Sequence, residues 1–218
     1  MSWFKRFNYW IIVPALIIFS LGLLILFSIN SHYFFNQLIF FLLGLLVFLF
    51  FANFDYRVFK SVSFHLYLIS LFLLLLTFVL GKVTRGAVRW IRIGSFSLQP
   101  SELVKPLLIL AFSSLVLRLD LRKIKDIIFF LFMLFLPSIL IFKQPDLGNT
   151  LVVFAIGLGI IIFRGLGKKY IFFGIIFFLL LLPFGWQILK PYQKERVISF
   201  INPDYNPLGG GYNLIQSK

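Results

Sequence analysis

An acidic residue, Asp146, lies between two long apolar stretches, in the run 143–150 that reads Lys-Gln-Pro-Asp-Leu-Gly-Asn-Thr. Ionisable groups at membrane depth are costly, so they usually face a protein interior or a hydrated cavity and often mark function. The Pro-Asp-Leu-Gly setting also suits a helix N-cap, in which the carboxylate accepts hydrogen bonds from free backbone N–H groups. We therefore predict a structural role for Asp146, within a motif formed by Gln144, Pro145, Asp146 and Gly148.

A second polar cluster begins at Gln99 and precedes another apolar stretch. Pro100, Ser101 and Glu102 predict a helix start, because Ser can cap backbone N–H groups and an early Glu complements the helix dipole. Lys105 follows Glu102 by three positions, so the two share one helix face. The spacing predicts a Glu102–Lys105 ion pair, which could equally contact a ligand.

The segment just before this cluster mixes basic and aromatic residues. Arg89, Trp90 and Arg92 alternate with apolar neighbours, and the chain then turns through Gly94 and Ser95. This pattern indicates an amphipathic piece at the membrane interface, with Trp90 as an anchor. Interfacial anchoring alone explains the segment as well as ligand binding does, because Trp and Arg are common at a membrane edge.

Composition fixes the class of protein to which these residues belong. The chain is 61% hydrophobic with 31 Phe and only 13% charged residues, and its mean hydropathy is +1.01. Because a bilayer core needs about 20 apolar residues per helix, the sequence predicts an all-α polytopic membrane protein, one membrane domain over residues 1–218. The apolar stretches predict about seven spans, near 10–29, 36–53, 64–80, 101–117, 126–143, 147–163 and 170–189.

Several kinds of chemistry are excluded or disfavoured by residue types. The chain has no cysteine, which excludes disulfides, thiol catalysis and Cys-based metal sites. His32 and His65 are isolated from each other and from acids, so we assign no metal ligands. No nucleic-acid-binding module is recognisable, and we expect no nucleic-acid partner.

The distribution of Lys and Arg predicts the orientation. Basic residues at the N-terminus and after the second, fourth and sixth spans fall on one side, which the positive-inside rule makes cytoplasmic. Attraction to anionic membrane lipids is a further explanation for that side. The remaining basic residues concentrate in the loop 81–100 and the tail 190–218. This outer excess indicates an anionic ligand outside the membrane.

Three stretches together resemble one known family. Residues 86–106 carry G-x-x-R-W-I-x-x-G followed by Q-P-S-E-L-x-K, residues 144–148 read Q-P-D-L-G, and residues 196–217 resemble a large external loop pattern ending in Q-S. Their order and content resemble the SEDS family, the RodA/FtsW/SpoVE membrane proteins of bacterial cell-wall synthesis. Leu147 is more typical of the RodA branch.

The resemblance implies a peptidoglycan glycosyltransferase of the bacterial cytoplasmic membrane, acting in cell elongation and shape. Such proteins polymerise lipid II outside the membrane and pair with a class B penicillin-binding protein. The diphosphate leaving group of lipid II calls for nearby cations and the attacking hydroxyl for a base. The resemblance leaves a divalent cation open as cofactor, with only Asp204, Glu195 and their neighbours as oxygen ligands. Candidate substrate-binding residues are Arg89, Trp90, Arg92, Glu102, Lys105, Lys190, Lys194 and Arg196.

The expected base departs from the family pattern. The family has Asp in D-P-L-G-x-G-Y, and this chain has Asn206 at that position. An amide cannot usefully accept the proton, so we hypothesise that Asp204, two residues upstream, replaces it. Asp204 lies between Pro203 and Pro207, a setting that by itself favours an Asp that merely shapes a turn.

Two alternatives to an active polymerase stay open. A lipid II flippase would carry charged residues through several spans, whereas here nearly all lie at the outer ends. A non-catalytic scaffold that activates a penicillin-binding protein is favoured by Asn206. Family members continue beyond the position of Lys218, so we expect that the external loop 190–218 is incomplete and that the chain alone is inactive.

Overall fold

A computed structural model describes residues 9–53, 55–84, 87–93, 96–189 and 191–202. These ranges contain helices joined by short turns and one small sheet. The helices are α1 (Tyr9–Ile29), α2 (Ser31–Ala52), α3 (Tyr56–Leu80), α4 (Pro100–Val116), α5 (Ile124–Lys143), α6 (Leu147–Phe163), α7 (Lys168–Ile188) and α8 (Pro191–Ile201), and the strands are β1 (Lys82–Thr84), β2 (Ala87–Ile93) and β3 (Phe96–Leu98).

The chain divides into two compact units, Met1–Val58 and Phe59–Lys218. In the first unit α1 and α2 pack against each other, with the rings of Phe19 and Phe41 stacked at 3.8 Å between centroids. Neither helix has a buried residue. Because lipid tails are as apolar as these side chains, such exposed apolar surface fits a bilayer.

The core of the second unit lies between α3, α4, α5 and α6. Phe112 and Phe130 are fully buried at its centre, with Leu134 and Val153 beside them. The hydroxyl of Tyr67 donates a hydrogen bond to the backbone oxygen of Met133 at 2.9 Å. This bond ties α3 to α5 within an otherwise apolar interface.

Five helices of the described part are long and apolar enough to cross a membrane: α1, α2, α3, α5 and α7. The shorter α6, with 17 residues, is also apolar. The prediction of a helical polytopic membrane protein is therefore confirmed. Helices α2 and α3 begin at Ser31 and Tyr56, before the apolar spans predicted from 36 and 64. Hydropathy locates the apolar part of a helix and not its capped, polar first turns.

Two segments differ from the all-helical prediction. The loop 81–100 contains an antiparallel sheet in the order β1-β2-β3, with Ile91 opposite Leu98. The predicted turn at Gly94 and Ser95 lies outside the described residues, between two strands that pair antiparallel. The alternation around Arg89 is thus a strand pattern with period two. The tail predicted as an external loop from 190 begins with α8, where Pro191 takes a first helical position that Pro favours.

A glycine in α6 permits close packing against α5. A Cβ placed on Gly157 would come within 2.7 Å of Cδ2 of Leu134, whereas a Cβ on Gly159 would meet nothing within 4 Å. Small residues are common where membrane helices approach closely. The two glycines differ only in the face of α6 that they occupy.

We predict that Gly157→Ala lowers the thermal unfolding midpoint of the detergent-solubilised chain, because overpacking costs about 1–3 kcal/mol. Gly159→Ala is the matched control and should leave the midpoint unchanged or raise it, since Ala exceeds Gly in helix propensity by about 1 kcal/mol. Equal effects of the two substitutions would contradict the packing role of Gly157.

Candidate functional site

Three elements converge on the carboxylate of Asp146. This residue is the N-cap of α6, as its setting predicts, and is 6% exposed. Gln99 and Ser101 reach it from the start of α4, and Arg89 reaches it from β2. The predicted motif residues are therefore brought together by tertiary packing.

The carboxylate of Asp146 accepts several hydrogen bonds. Its Oδ2 lies 2.7 Å from Nε2 of Gln99 and 2.9 Å from Nδ2 of Asn149, and Oγ of Ser101 donates at 3.5 Å. Its Oδ1 caps the helix by accepting from the backbone N–H of Asn149 at 3.4 Å. A buried charge needs such donors, because an unpaired one would be strongly destabilising.

Arg89 supplies the opposite charge. Its Nη1 lies 3.9 Å from Oδ1 of Asp146, and its side chain is 23% exposed. On strand β2, Arg89 and Ile91 share a face, and Ile91 is buried. The packing of β2 on α4 therefore holds Arg89 over the carboxylate.

Asn149 lies between the acid and a lysine. Its Nδ2 donates to Asp146, and its Oδ1 accepts from Nζ of Lys105 at 3.2 Å. Its Nδ2 also lies 3.2 Å from Oγ of Ser101. With a carboxylate on one side and an ammonium on the other, the amide can satisfy both only in this orientation. Asn149 was not among the residues predicted from the sequence, although its position three residues after the N-cap Asp146 indicates a capping role.

The predicted ion pair within α4 is confirmed. Nζ of Lys105 lies 2.6 Å from Oε2 of Glu102, with side chains 21% and 52% exposed. The ammonium has three donors, of which Asn149 and Glu102 use two. Lys105 is thus held in place while part of its surface stays open to a ligand.

The role predicted for Ser101 as a helix cap is wrong. The N-cap of α4 is Gln99, which makes no side-chain cap bond, and Pro100 takes a first helical position. Ser101 therefore lies inside the helix, fully buried, and its hydroxyl turns to Asp146. A proline at the first position removes one of the N–H groups that a cap would satisfy.

Gln144 and Gly148 complete the motif around Asp146. Gln144 is fully buried, and its Nε2 donates to the backbone oxygen of Leu74 at 2.9 Å, which ties the end of α5 to α3. Pro145 follows and is half-buried. A Cβ on Gly148 would lie 4.0 Å from Oδ1 of Asp146, an ordinary contact.

The other candidate residues are only partly described. Trp90 on β2 and Lys194 on α8 are partly buried. Arg92 lies on β2 opposite Ser97, and Arg196 lies on α8. In the described ranges no group of three or more His, Asp or Glu could hold a metal ion. The remaining candidates lie outside the described residues: Lys190, Asp204 and Asn206.

The arrangement separates two kinds of chemistry. The lone pairs of Asp146 are engaged by Gln99, Ser101 and Asn149, which suits a structural anion better than a proton acceptor. Lys105 and Arg89 offer cationic N–H groups beside it. Nε of Arg89 is buried and has no hydrogen-bond partner within the described residues. This end of α4 and α6 can therefore bind an anion such as a phosphate.

The chain is similar to known proteins along nearly its whole length. The FtsW/RodA/SpoVE family model, with the description "Cell cycle protein", matches residues 2–218. "Peptidoglycan glycosyltransferase MrdB" of Escherichia coli K12 is 32% identical over 182 residues, which cover 81% of this chain and 48% of that protein. The chain spans about half the length of this curated relative.

Two solved structures agree in fold. One, from work titled "Structural coordination of polymerization and crosslinking by a peptidoglycan synthase complex", has a TM-score of 0.84 at 30% identity and covers 97% of this chain and 64% of that one. The rod shape determining protein RodA of Thermus thermophilus has a TM-score of 0.69 at 28% identity, covering 80% of this chain and 59% of its own.

We predict that Asp146→Asn destabilises the chain by about 3–5 kcal/mol, because Arg89 loses its buried counter-charge. The new amide would also present N–H groups to the donors of Gln99 and Asn149. Glu102→Gln is the control, since its half-exposed pair with Lys105 contributes at most about 1 kcal/mol. Thermal unfolding in detergent measures both. Equal midpoints for the two variants would contradict the anchoring role of Asp146.

Proposed function

We propose that this chain, which belongs to the FtsW/RodA/SpoVE (SEDS) family of membrane proteins, polymerises lipid II into glycan strands for cell elongation and shape. The observation that carries the proposal is the family match over residues 2–218. The chain is a multi-pass protein of the cytoplasmic membrane.

We further propose that seven helices, α1 to α7, span the bilayer with the N-terminus in the cytoplasm. At 1.5 Å per residue, α4 and α6 with 17 residues each reach about 25 Å. Helices of this length cross a locally thinned or hydrated region of a core about 30 Å thick. In this topology the Asp146 network, the sheet and α8 lie at the outer surface, where lipid II is used. In this topology residues 1–218 belong to one membrane domain.

In the proposed reaction Lys105 and Arg89 bind the diphosphate of lipid II. The bond between the anomeric carbon and the diphosphate oxygen breaks, and the hydroxyl of a second sugar forms the new glycosidic bond. The departing diphosphate gains negative charge in the transition state. A nearby ammonium or guanidinium therefore stabilises the transition state more than the ground state. Glu102 and Asn149 hold Lys105 for this contact.

The hydroxyl proton passes to a base in the external loop, for which we propose Asp204. Trp90, Arg92, Lys194 and Arg196 are proposed to line the same surface and contact the substrate. A divalent cation would assist the departure of the diphosphate when bound. The described residues supply no recognisable ligand set for it, and no step is assigned to it.

A second candidate function rests on Asn206. A chain without a carboxylate at this position could bind lipid II and a class B penicillin-binding protein without catalysing polymerisation. One similar chain comes from work whose title names a peptidoglycan synthase complex, which supports such a partner. Activity of the native sequence separates this scaffold from a polymerase.

We predict that the full-length reading frame, together with a class B penicillin-binding protein, makes glycan strands from lipid II. Asp204→Ala should lower the rate by about 100-fold or more, as expected for loss of a general base. Gel analysis of labelled strands measures the product. Strands from Asn206→Asp alone would favour the scaffold function for the native protein. Strands from neither form would overturn the polymerase proposal for this chain.

We predict that Lys105→Gln weakens binding of undecaprenyl diphosphate by about 10- to 100-fold, the loss expected for a hydrogen bond to a charged group. Lys105→Arg should restore part of the affinity. Lys143→Gln is the control, because it removes one exposed charge at the same end of the bundle without touching the network. Native mass spectrometry measures binding without turnover. An equal loss in the control would show long-range attraction and contradict a contact by Lys105.

A further inference from the structure

A cavity of about 550 Å³ lies at the opposite end of the bundle from Asp146. The turn between α4 and α5 and the turn between α6 and α7 form its walls, with Asp120, Arg122, Arg164, Gly167, Lys169 and Tyr170 in the lining. Since α6 runs for 17 residues from the Asp146 network to Phe163, the two sites are about 25 Å apart. In the topology proposed above, the cavity therefore lies at the cytoplasmic interface of the membrane.

The lining of this cavity has an unbalanced charge. Its carboxylate, Asp120, is already engaged: Oδ1 accepts from the backbone N–H of Arg122 at 3.1 Å, and Oδ2 lies 3.7 Å from Nζ of Lys123. Within the described ranges, Arg122, Arg164 and Lys169 form no ion pair with a carboxylate. The lining therefore carries three cations and one carboxylate, which gives the cavity a net positive charge.

Local contacts hold the two turns in place. The hydroxyl of Tyr170 donates to the backbone oxygen of Arg122 at 3.4 Å, and Nζ of Lys169 lies 4.8 Å from the centre of the Tyr170 ring. Gly165 has φ +104°, which permits the α6 C-terminus to end in a Schellman-type turn. Gly167, the N-cap of α7, offers no side-chain acceptor to the first N–H groups of this helix.

We propose that this cavity binds the phosphate-bearing headgroup of an anionic membrane lipid. Arg122 and Arg164 offer planar forks that match phosphate oxygens, and Lys169 adds a third charge. In the proposed topology the cavity lies at the level of the lipid phosphates. It adjoins α7, which has no buried residue and whose apolar surface acyl chains fit. Basic pockets between membrane helices take such headgroups in other proteins.

The proposal differs from general attraction between basic loops and the membrane. Lys125 and Lys168 lie in the first turns of α5 and α7, next to the same two connections, are exposed and do not line the cavity. General attraction would depend on all these charges alike. A site would depend on Arg122 and Arg164 much more than on Lys125 and Lys168.

The test measures binding of phosphatidylglycerol to the detergent-solubilised chain by native mass spectrometry. We expect the double variant Arg122→Gln/Arg164→Gln to bind about tenfold more weakly, the loss of roughly one charge-assisted hydrogen bond. The control Lys125→Gln/Lys168→Gln removes the same charge and should bind within about twofold of the native chain. Phosphatidylcholine should bind weakly to all three forms.

Unequal folding is checked by the thermal unfolding midpoint without lipid. If Arg122→Gln/Arg164→Gln has a lowered midpoint, the double variant Arg122→Lys/Arg164→Lys is used instead, because Lys keeps the positive charge but lacks the planar fork of Arg. This Lys variant should bind phosphatidylglycerol less tightly than the native chain does. Equal losses in the cavity variant and the control would overturn the proposal in favour of general attraction. If millimolar inorganic phosphate displaced bound phosphatidylglycerol as well as added phosphatidylglycerol does, the cavity would be a site for free phosphate and the lipid proposal would be overturned.

Discussion

The buried carboxylate of Asp146 is the constraint on which the second unit depends. An anion at the end of an apolar bundle is stable only where donors surround it, and these come from β2, from the start of α4 and from α6 itself. Any shift of α4 against α6 would lengthen bonds from Gln99 and Ser101. The charge therefore fixes the relative positions of elements whose apolar faces alone would tolerate sliding.

Asn149 divides this polar region into two parts with different uses. A lysine in direct contact with Asp146 would be neutralised by it and would offer less to a ligand. The amide instead passes one hydrogen bond to each group, so Asp146 stays engaged with its structural donors and Lys105 is presented beside Glu102. Asp146 can thus anchor the neighbouring elements while Lys105 keeps a positive charge available to an anion.

The second unit is polar at both ends and apolar between them. Phe112, Phe130 and Leu134 fill the middle, where a charge would be most costly. One end carries the Asp146 network with its sheet, and the other carries the cavity with Arg122 and Arg164. Because helices α4 and α6 run between the two ends, cationic side chains lie at both ends of this helix pair.

Composition and local spacing were enough to predict several features of this protein. The apolar composition predicted the helical membrane class, and the positions of polar residues a few places apart predicted the N-cap at Asp146 and the Glu102–Lys105 pair. The contacts of α4 with Asp146 depend on packing instead: Gln99, 47 positions away, donates to its carboxylate, and Ser101 does so rather than capping its own helix. The strands of the 81–100 loop were missed for the same reason, since pairing between strands and packing between helices depend on partners that spacing along the chain does not specify.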